Sequence, residues 1–327
     1  MRSSRLGILT LLVLTVFLTT NCAYFNRILS RKNLVDGSVA YKERKFAEAE
    51  DLFRRAAERD PEGETLEGRT AQLFLARTIH SRYIGDRAND ALAEQAIVEY
   101  QKMLALDPNE QSSYKAVAGL YENLQRNDDW LKWVTDRANN QSIEPHYRAE
   151  AYTSLAARQN TCANEISGAE ANRKQVQRDG KDVYQYVKPQ NAEDLERMRS
   201  CVQQGMQFTQ QALELETEEV KNAKNFNIQA TDAELRATLE KIKAFESARS
   251  YRASMLIQAS RLAEMDANEA EATRLRDEAE TARQQFLELS EVSTAIQNEL
   301  DSRAAAAAAA NANANANANA NTAPAEQ

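Results

Sequence analysis

The sequence predicts an all-α fold built from antiparallel helical hairpins. The chain of 327 residues contains only nine glycines and five prolines, while alanine, glutamate, glutamine and arginine are abundant. These are favourable helix formers, whereas glycine and proline interrupt helices. In addition, small and aromatic residues recur at helical spacing in successive stretches, each long enough for a pair of helices. Composition and repetition therefore point to the same fold class.

The chain begins with a segment that has the build of an export signal. Arg2 and Arg5 give it a cationic start, and the run from Leu6 to Leu18 is almost wholly aliphatic. A helix that spans a membrane needs about 20 apolar residues, so this run is too short. A basic start, a short apolar run and a polar break together predict a secretory signal.

Two cleavage sites are open at the end of this segment. The stretch LTTNC, Leu18 to Cys22, resembles the box of bacterial lipoprotein signals, although Asn21 replaces the usual small residue and Leu18 lies one place early. The resemblance implies that Cys22 is lipidated and begins the mature chain after a signal peptide of residues 1–21, with 22–30 as a tether. The alternatives are ordinary cleavage after Ala23 and an uncleaved anchor. Both cleavage routes predict export.

The charge of the chain disfavours nucleic acid as a partner. The full sequence has 41 basic and 49 acidic residues, a net charge of −8. Removal of residues 1–21 takes away Arg2 and Arg5, which leaves 39 basic residues against 49 acidic ones and a net charge of −10. Phosphate backbones are bound by clustered lysine and arginine. An acidic, exported chain is therefore expected to bind proteins or other non-nucleic ligands.

The first repeat is the stretch GSVAYKERKFAEAEDLFRRAAERDP, Gly37 to Pro61. Small residues stand where two helices must approach closely, and aromatic residues fill the gaps between them. This pattern, from Asn33 to Pro61, resembles the tetratricopeptide repeat. The resemblance implies paired antiparallel helices that stack into a superhelix, an α-solenoid whose concave groove accepts peptides or partner helices.

Three more copies follow and complete the predicted repeat segment 31–217. The second carries Leu75, Ala76 and Ile79 on its first helix and the Asp107-Pro108 stop after its second, and the third starts at Tyr114. In the third copy Trp130 takes the place of a small residue; Trp130 and Trp133 are interpreted as core residues, with a ligand platform as the alternative.

The fourth copy is interrupted by a predicted insertion, residues 163–191. Its first helix begins near Tyr152, and its second contains Gly205 at the closely packed position. Antiparallel pairing would bring Cys162 and Cys201 together at the base of the insertion. In an oxidising compartment such a pair is expected to form a disulfide; two buried, unlinked thiols are the alternative.

Beyond the repeats, residues 218–303 predict a C-terminal helical extension. Thr231 and Glu234 match a capping box, which starts a helix expected to run to about Met265. A second helix has an apolar seam in steps of three and four with Ser293 as its one polar member. This seam predicts packing on the preceding helix as a capping hairpin; a coiled coil is the alternative. The alanine run and Asn-Ala repeat of residues 304–327 predict a disordered tail, either a spacer or a tolerated expansion.

The sequence offers no recognised catalytic constellation. It has only two histidines, His80 and His146, and lacks zinc-protease, phosphate-loop and serine-elbow motifs. Ser112 to Lys115 fits an S-x-x-K pattern formally, but the partner motifs are missing and Ser112 is expected at a helix N-terminus. We therefore predict no enzyme activity and no cofactor.

A binding groove is the remaining expectation. Helical phase and the repeat resemblance assign its lining to the first helices of repeats one to three. The predicted groove residues are Leu34, Ser38, Tyr41, Lys42, Arg77, His80, Lys115, Gly119, Glu122 and Asn123. For His80, a plain surface or packed position is the alternative to a groove contact.

These features predict a non-enzymatic scaffold that binds other envelope proteins. Lipid at Cys22 would hold it on a membrane facing the periplasm, and Ala23 favours the outer membrane because aspartate at that place retains lipoproteins at the inner membrane. Proteins of this type resemble accessory parts of envelope assembly machines. The alternatives are a soluble periplasmic protein that binds a peptide or cell-wall ligand, with the insertion as its lid, and an enzyme with an unfamiliar site.

Overall fold

The computed structural model describes residues 25–178 and 180–321, and this part of the chain is almost entirely helical. The helices are α1 (25–42), α2 (Phe46–Ala57), α3 (Leu66–Gly85), α4 (Asp90–Leu106), α5 (Gln111–Asn123), α6 (Asn127–Asn139), α7 (Pro145–Gly168), α8 (Ala192–Glu214), α9 (Glu218–Lys221), α10 (Asp232–Met265) and α11 (Glu269–Asn321). Two short strands, β1 (Arg173–Arg178) and β2 (Lys181–Tyr186), lie between α7 and α8. The predicted all-α class, made of packed helical hairpins, is confirmed. The predicted signal and Cys22 lie outside the described residues.

The chain forms two compact units, the first ending at Trp133 and the second beginning at Val134. This boundary falls inside α6 and within the predicted repeat segment 31–217. The first unit thus holds the first two predicted repeats and most of the third, and the second unit holds the fourth and the C-terminal helices. Among the described helices, none combines the length and the apolar character that crossing a bilayer requires.

Small residues let the helices of the first unit approach closely, as the repeat pattern predicts. Phe53 of α2 is fully buried. A Cβ atom added at Gly37 would lie 2.8 Å from the ring of Phe53, which is closer than van der Waals contact permits. Ala49 and Ala56 are likewise fully buried beside it. Glycine at position 37 therefore makes room for the largest fully buried side chain of the first hairpin.

In the second unit a disulfide joins α7 to α8. Cys162 and Cys201 are bonded, with their Cα atoms 6.2 Å apart. Six helical residues follow Cys162 in α7 and nine precede Cys201 in α8, so the bond lies roughly two turns inside each helix. The cysteines are therefore paired as predicted, but they tie the bodies of the two helices and not their ends.

Close packing in the second unit also depends on a predicted small residue. A Cβ atom added at Gly205 of α8 would lie 2.4 Å from the terminal methyl group of Met255, a fully buried residue of α10. The sequence pattern predicted that Gly205 lies where two helices approach closely. The structure shows that this contact involves α10 of the C-terminal extension.

The insertion differs from the prediction in its limits and in its structure. The α7 helix continues to Gly168, so the segment outside the helices begins about six residues later than predicted and ends before Ala192. It contains an antiparallel hairpin in which Val176 pairs with Val183 and Arg178 pairs with Lys181. The Asp-Gly sequence between the strands is typical of a two-residue hairpin turn, and Gly180 has a φ of +74°.

The C-terminal extension is an antiparallel pair of long helices, as the capping-hairpin interpretation predicts. The seam residues Leu275, Leu289 and Ile296 of α11 are buried against α10. The polar seam member Ser293 donates a hydrogen bond to a carboxylate oxygen of Glu246 on α10, at 2.7 Å. This bond satisfies the hydroxyl group inside the seam, so Ser293 interrupts the apolar pattern without leaving an unpaired buried group.

The predicted capping box at the start of α10 is present and gives a first testable prediction. Thr231 Oγ1 accepts a bond from the Glu234 N–H at 3.3 Å, and a Glu234 carboxylate oxygen accepts one from the Thr231 N–H at 2.9 Å. We expect T231A to lower the free energy of unfolding of the second unit by about 1 kcal/mol, because an N-terminal N–H loses its partner. Urea unfolding followed by far-UV circular dichroism measures the change. The control T273A removes a hydroxyl from an exposed interior position of α11 and should be neutral or slightly stabilising; equal effects would contradict the capping role.

The predicted disordered tail requires correction. The α11 helix does not stop at residue 303 but continues through the alanine run and the Asn-Ala repeat to Asn321. Alanine has the highest helix propensity, and extending an existing helix avoids the cost of nucleation. The described side chains beyond residue 303, up to position 312, are exposed, so up to that position the extension does not rest on packing. Residues 322–327 lie outside the described part.

Candidate protein-interaction surface

The first helices of the three predicted repeats, α1, α3 and α5, contact one another through polar side chains. The hydroxyl of Tyr41 on α1 lies 2.9 Å from that of Ser81 on α3. Arg77 of α3 donates a hydrogen bond to Ser112 Oγ of α5 at 2.9 Å. Helix α3 therefore lies beside both α1 and α5, which is the arrangement that a common surface on these helices needs.

On α1, three of the four predicted groove residues are half-buried and contact neighbouring groups, and their place in a groove stays a prediction. Leu34 packs against the buried alanines of α2 and α3. Ser38 is partly buried, and its hydroxyl group donates a hydrogen bond to the Leu34 carbonyl oxygen. Tyr41 stands edge-on to Phe74 and contacts Ser81. Only Lys42 is exposed.

His80 of α3 is half-buried and packs against α4. Its Nδ1 atom lies 3.2 Å from the Tyr100 hydroxyl, and the two rings meet edge to face. Burial, followed by the charge of Arg87, lowers the pKa of His80. Burial also raises the pKa of Tyr100. Both groups are thus neutral near pH 7. The contact with Tyr100 agrees with the packed alternative for His80, and a groove contact stays a prediction.

Arg77 occupies the junction between α3 and α5. Its guanidinium carbon lies 5.7 Å from the centre of the Phe74 ring, and its Nη2 reaches Ser112. Ser112 in turn donates a bond to the Glu110 carboxylate at 2.7 Å. Burial opposes ionisation of Glu110, but hydrogen bonds from Ser112 and Ser113 and the charge of Arg77 hold its pKa below the usual value. The α5 cap is thus Glu110, whose carboxylate accepts a bond from the Ser113 N–H, and not Ser112 as predicted.

The predicted residues of α5 form an open strip. Lys115, Glu122 and Asn123 are exposed, and a Cβ atom added at Gly119 would meet no atom within 4 Å. Asn123 accepts a long hydrogen bond, 3.4 Å, from Arg87 at the end of α3. We call the strip made by Arg77, Arg87, Lys115, Gly119, Glu122 and Asn123 the α3/α5 surface. It presents both charge signs around a position without a side chain, which suits polar contacts with a peptide or a helix.

Next to this strip, an aromatic cluster stabilises α5 against α6. Trp133 stacks on Tyr114, with ring centres 5.9 Å apart, and donates its indole N–H to the Tyr114 carbonyl oxygen at 3.2 Å. Tyr121 meets the same indole edge-on, and Arg126 lies over the Tyr121 ring at 5.0 Å. Trp130 is buried. The core interpretation is therefore confirmed for Trp130, whereas Trp133 is half-buried in the aromatic cluster.

The β-hairpin is a polar feature that the sequence analysis missed. Arg173 lies over the exposed Tyr184 ring at 4.7 Å, and Arg261 of α10 lies over Tyr186 at 4.8 Å. After the strands, Lys188 pairs with Asp266 at the end of α10. The pattern that could have predicted the hairpin lies in the stretch RKQVQRDGKDVYQYVK. There, two short segments that mix polar residues with valine or tyrosine flank an Asp-Gly pair. The repeat resemblance describes only helices, so it predicted the helices on either side of this stretch and no strands.

Two cavities of the second unit lie between helices and are small. One, of about 280 Å³, is lined by residues of α8 to α11, among them Glu216 and Arg249, which form an ion pair at 2.5 Å. The other, of about 380 Å³, lies between α10 and α11. Neither is lined by the β-hairpin or by a predicted groove residue. Among the described side chains, no group of three His, Cys, Asp or Glu residues is arranged to hold a metal ion.

No protein-family model matches the chain, and no curated protein sequence matches it.

Proposed function

We propose that this protein is a non-enzymatic scaffold of a bacterial cell envelope that binds other envelope proteins through the α3/α5 surface. The observation that carries the proposal is the open position at Gly119, with exposed Lys115 and Glu122 one turn away on either side. Side chains three or four residues apart share one face of a helix. Such a face provides room for a partner backbone and charged groups of both signs to orient it.

The disulfide supports an exported location. Disulfides persist in oxidising compartments such as the periplasm and are rare in the cytosol. Cys162 and Cys201 are bonded in the interior of the second unit. Together with the apolar segment that ends at Cys22, this pair favours a periplasm-facing protein. We propose lipidation of Cys22 as its membrane anchor, on the outer membrane because Ala23 follows.

Gly119 gives a sharp test of the interaction surface. We expect G119Y to abolish capture of a partner and to leave stability unchanged, because the new side chain enters open space and obstructs the surface from outside. The matched control is G168Y, since a Cβ atom at Gly168 in the second unit also meets nothing within 4 Å. Tagged protein is crosslinked in its own envelope, purified and analysed by mass spectrometry.

The expected result is at least a tenfold loss of the captured partner for G119Y, which corresponds to about 1.4 kcal/mol of binding free energy. G168Y should capture it as the unchanged protein does. Equal capture by G119Y would contradict the α3/α5 surface. The same preparation yields the N-terminal peptide: an acylated Cys22 supports the anchor, whereas an N-terminus at Tyr24 would overturn it.

A further inference from the structure

The first helix carries an apolar stripe on the side that faces away from the protein core. Phe25, Ile28, Val35 and Val39 are 61%, 48%, 58% and 51% exposed. With Lys32 between them, these positions follow steps of three and four residues, which places them on one face of α1. This set, which we call the α1 stripe, is long enough to cover four turns of the helix. Neither the predicted groove nor the α3/α5 surface includes it.

The opposite face of α1 is already used for packing within the first unit. Ser30 is buried and donates a hydrogen bond to the Ala56 carbonyl oxygen at 3.1 Å, and Ala40 is buried as well. Gly37 lies against the Phe53 ring. The α1 stripe therefore does not belong to the hydrophobic core of the first unit. These side chains can be buried only by a surface outside that unit.

Charge around the stripe favours an anionic occupant. Residues 25–45 contain six basic and two acidic residues, a net charge of +4, although the whole chain carries −8. Arg31, Lys32 and Lys42 are exposed on the same side of the helix as the stripe. Arg27 pairs with Glu67 at 3.2 Å and keeps an exposed side chain. Apolar residues flanked by lysine and arginine are typical of helices that lie in the plane of a bilayer surface.

The position of α1 relative to Cys22 supports the same occupant. The described part of the helix begins at residue 25, and residues 23 and 24 lie between it and Cys22 in the sequence. Even if fully extended, the chain from Cys22 to residue 25 spans about 11 Å. Acyl chains on Cys22 would thus hold the first turn of α1 at the level of the lipid headgroups. This step rests on the lipid anchor in the proposed function.

We infer that the α1 stripe lies on the surface of a bilayer that contains anionic phospholipid. The acyl chains bring the helix to the surface, Phe25, Ile28, Val35 and Val39 enter the boundary between headgroups and acyl chains, and the flanking cations contact the phosphates. Stable anchoring takes more than one signal, and an interfacial helix supplies a second one. The first unit is thereby oriented on the membrane by a face that is distinct from the α3/α5 surface.

The test uses the acylated full-length mature protein in vesicles of phosphatidylethanolamine and phosphatidylglycerol. An environment-sensitive fluorophore is attached through V35C, and a control sample carries it through V98C, an exposed valine of α4. The inference expects blue-shifted emission and quenching by lipid-attached quenchers at position 35 only. Replacing phosphatidylglycerol by phosphatidylcholine should weaken both signals. The intact mass of the N-terminal peptide is measured on the same sample.

The outcomes separate the inference from the anchor. An acylated Cys22 with a water-exposed label at position 35 would overturn the inference and leave the proposed anchor standing. An unacylated N-terminus would overturn both. Protection of position 35 in detergent solution, with crosslinking between two copies, would show that a second copy covers the stripe and would also overturn the inference. In a further variant, V35D/V39D with the label moved to I28C, loss of the blue shift with an unchanged unfolding midpoint would support it.

Discussion

Replacing Phe53 by alanine is expected to lower the free energy of unfolding of the first unit by about 3–5 kcal/mol. Phe53 is fully buried, and its ring stacks on Phe74 with centres 5.4 Å apart while Gly37 lies against its edge. Truncation removes the apolar contacts and leaves a cavity between α1, α2 and α3. The backbone at Gly37 has no side chain to move into that space, so little of the loss can be recovered.

The two tryptophans make this change measurable in the presence of the second unit. Trp130 and Trp133 are the only tryptophans of the chain, and both lie in the first unit. Urea unfolding followed by indole fluorescence therefore reports on the unit that contains Phe53. The matched control is L66A, a truncation at a residue that is 69% exposed, which should stay within about 0.5 kcal/mol. A loss below about 1 kcal/mol for F53A would contradict the central role of this ring.

Removal of the disulfide is expected to cost the second unit about 3–4 kcal/mol. The bond closes a loop with a sequence separation of 39 residues, and in the chain-entropy model a loop of this size stabilises the folded state by that amount. The bond also lies in a packed region, because Cys201 is buried together with Met198, Val202 and Met265. The double substitution C162A/C201A should therefore increase opening of α7 and α8.

Hydrogen exchange read by mass spectrometry follows these two helices without interference from the first unit. Amides of α7 and α8 should lose protection in C162A/C201A, and a reductant should have the same effect on the unchanged protein. Reductant added to the double variant is the control and should change nothing further. Cys22 is replaced by serine in all samples, so that the disulfide between Cys162 and Cys201 is the only group that the reductant can act on and the double variant contains no cysteine. Equal protection with and without reductant, or unchanged mobility on non-reducing gels, would contradict a stabilising disulfide.

The proposed partner binding and the proposed membrane contact can be tested separately because they are assigned to different helices. G119Y changes α5 and is expected to obstruct the α3/α5 surface, whereas V35D/V39D changes the outward face of α1. Neither variant changes the other surface or the core. A variant that loses its partner but keeps position 35 in lipid would show that the two activities are independent.

The sequence predicted those parts of the fold that depend on local pattern. Apolar residues at helical spacing gave the hairpins, and the buried positions of Phe53, Leu75 and Leu155 agree with the predicted repeat. The capping box at Thr231 was found because a cap involves groups only three residues apart. The seam of α11 was found because its alternating steps of three and four residues repeat over many turns of one helix. In each case the information lies within one helix.

The candidate site was predicted only in part, since it depends on how helices are rotated against their neighbours. Leu34 and Ser38 are half-buried, whereas Val35 and Val39, the next residue after each, are exposed. The two sets are separated by a rotation of one residue, about 100°, about the axis of α1. His80 was assigned outward, although Tyr100 on α4 provides a partner inside. The residues of α5 were placed correctly on an exposed face, and Gly119 opens that face to solvent.

By itself, the amino-acid sequence determined that this chain is helical, that its helices pair through small residues, and that Cys162 and Cys201 come together. Backbone propensity, helical period and pairing of consecutive helices suffice for these conclusions. Only the tertiary structure decided which face of each helix is buried, that the insertion is a β-hairpin, and that the stripe on α1 points away from the core. Those features depend on contacts between residues far apart in the chain, and helical periodicity alone does not specify a helix's rotation about its own axis.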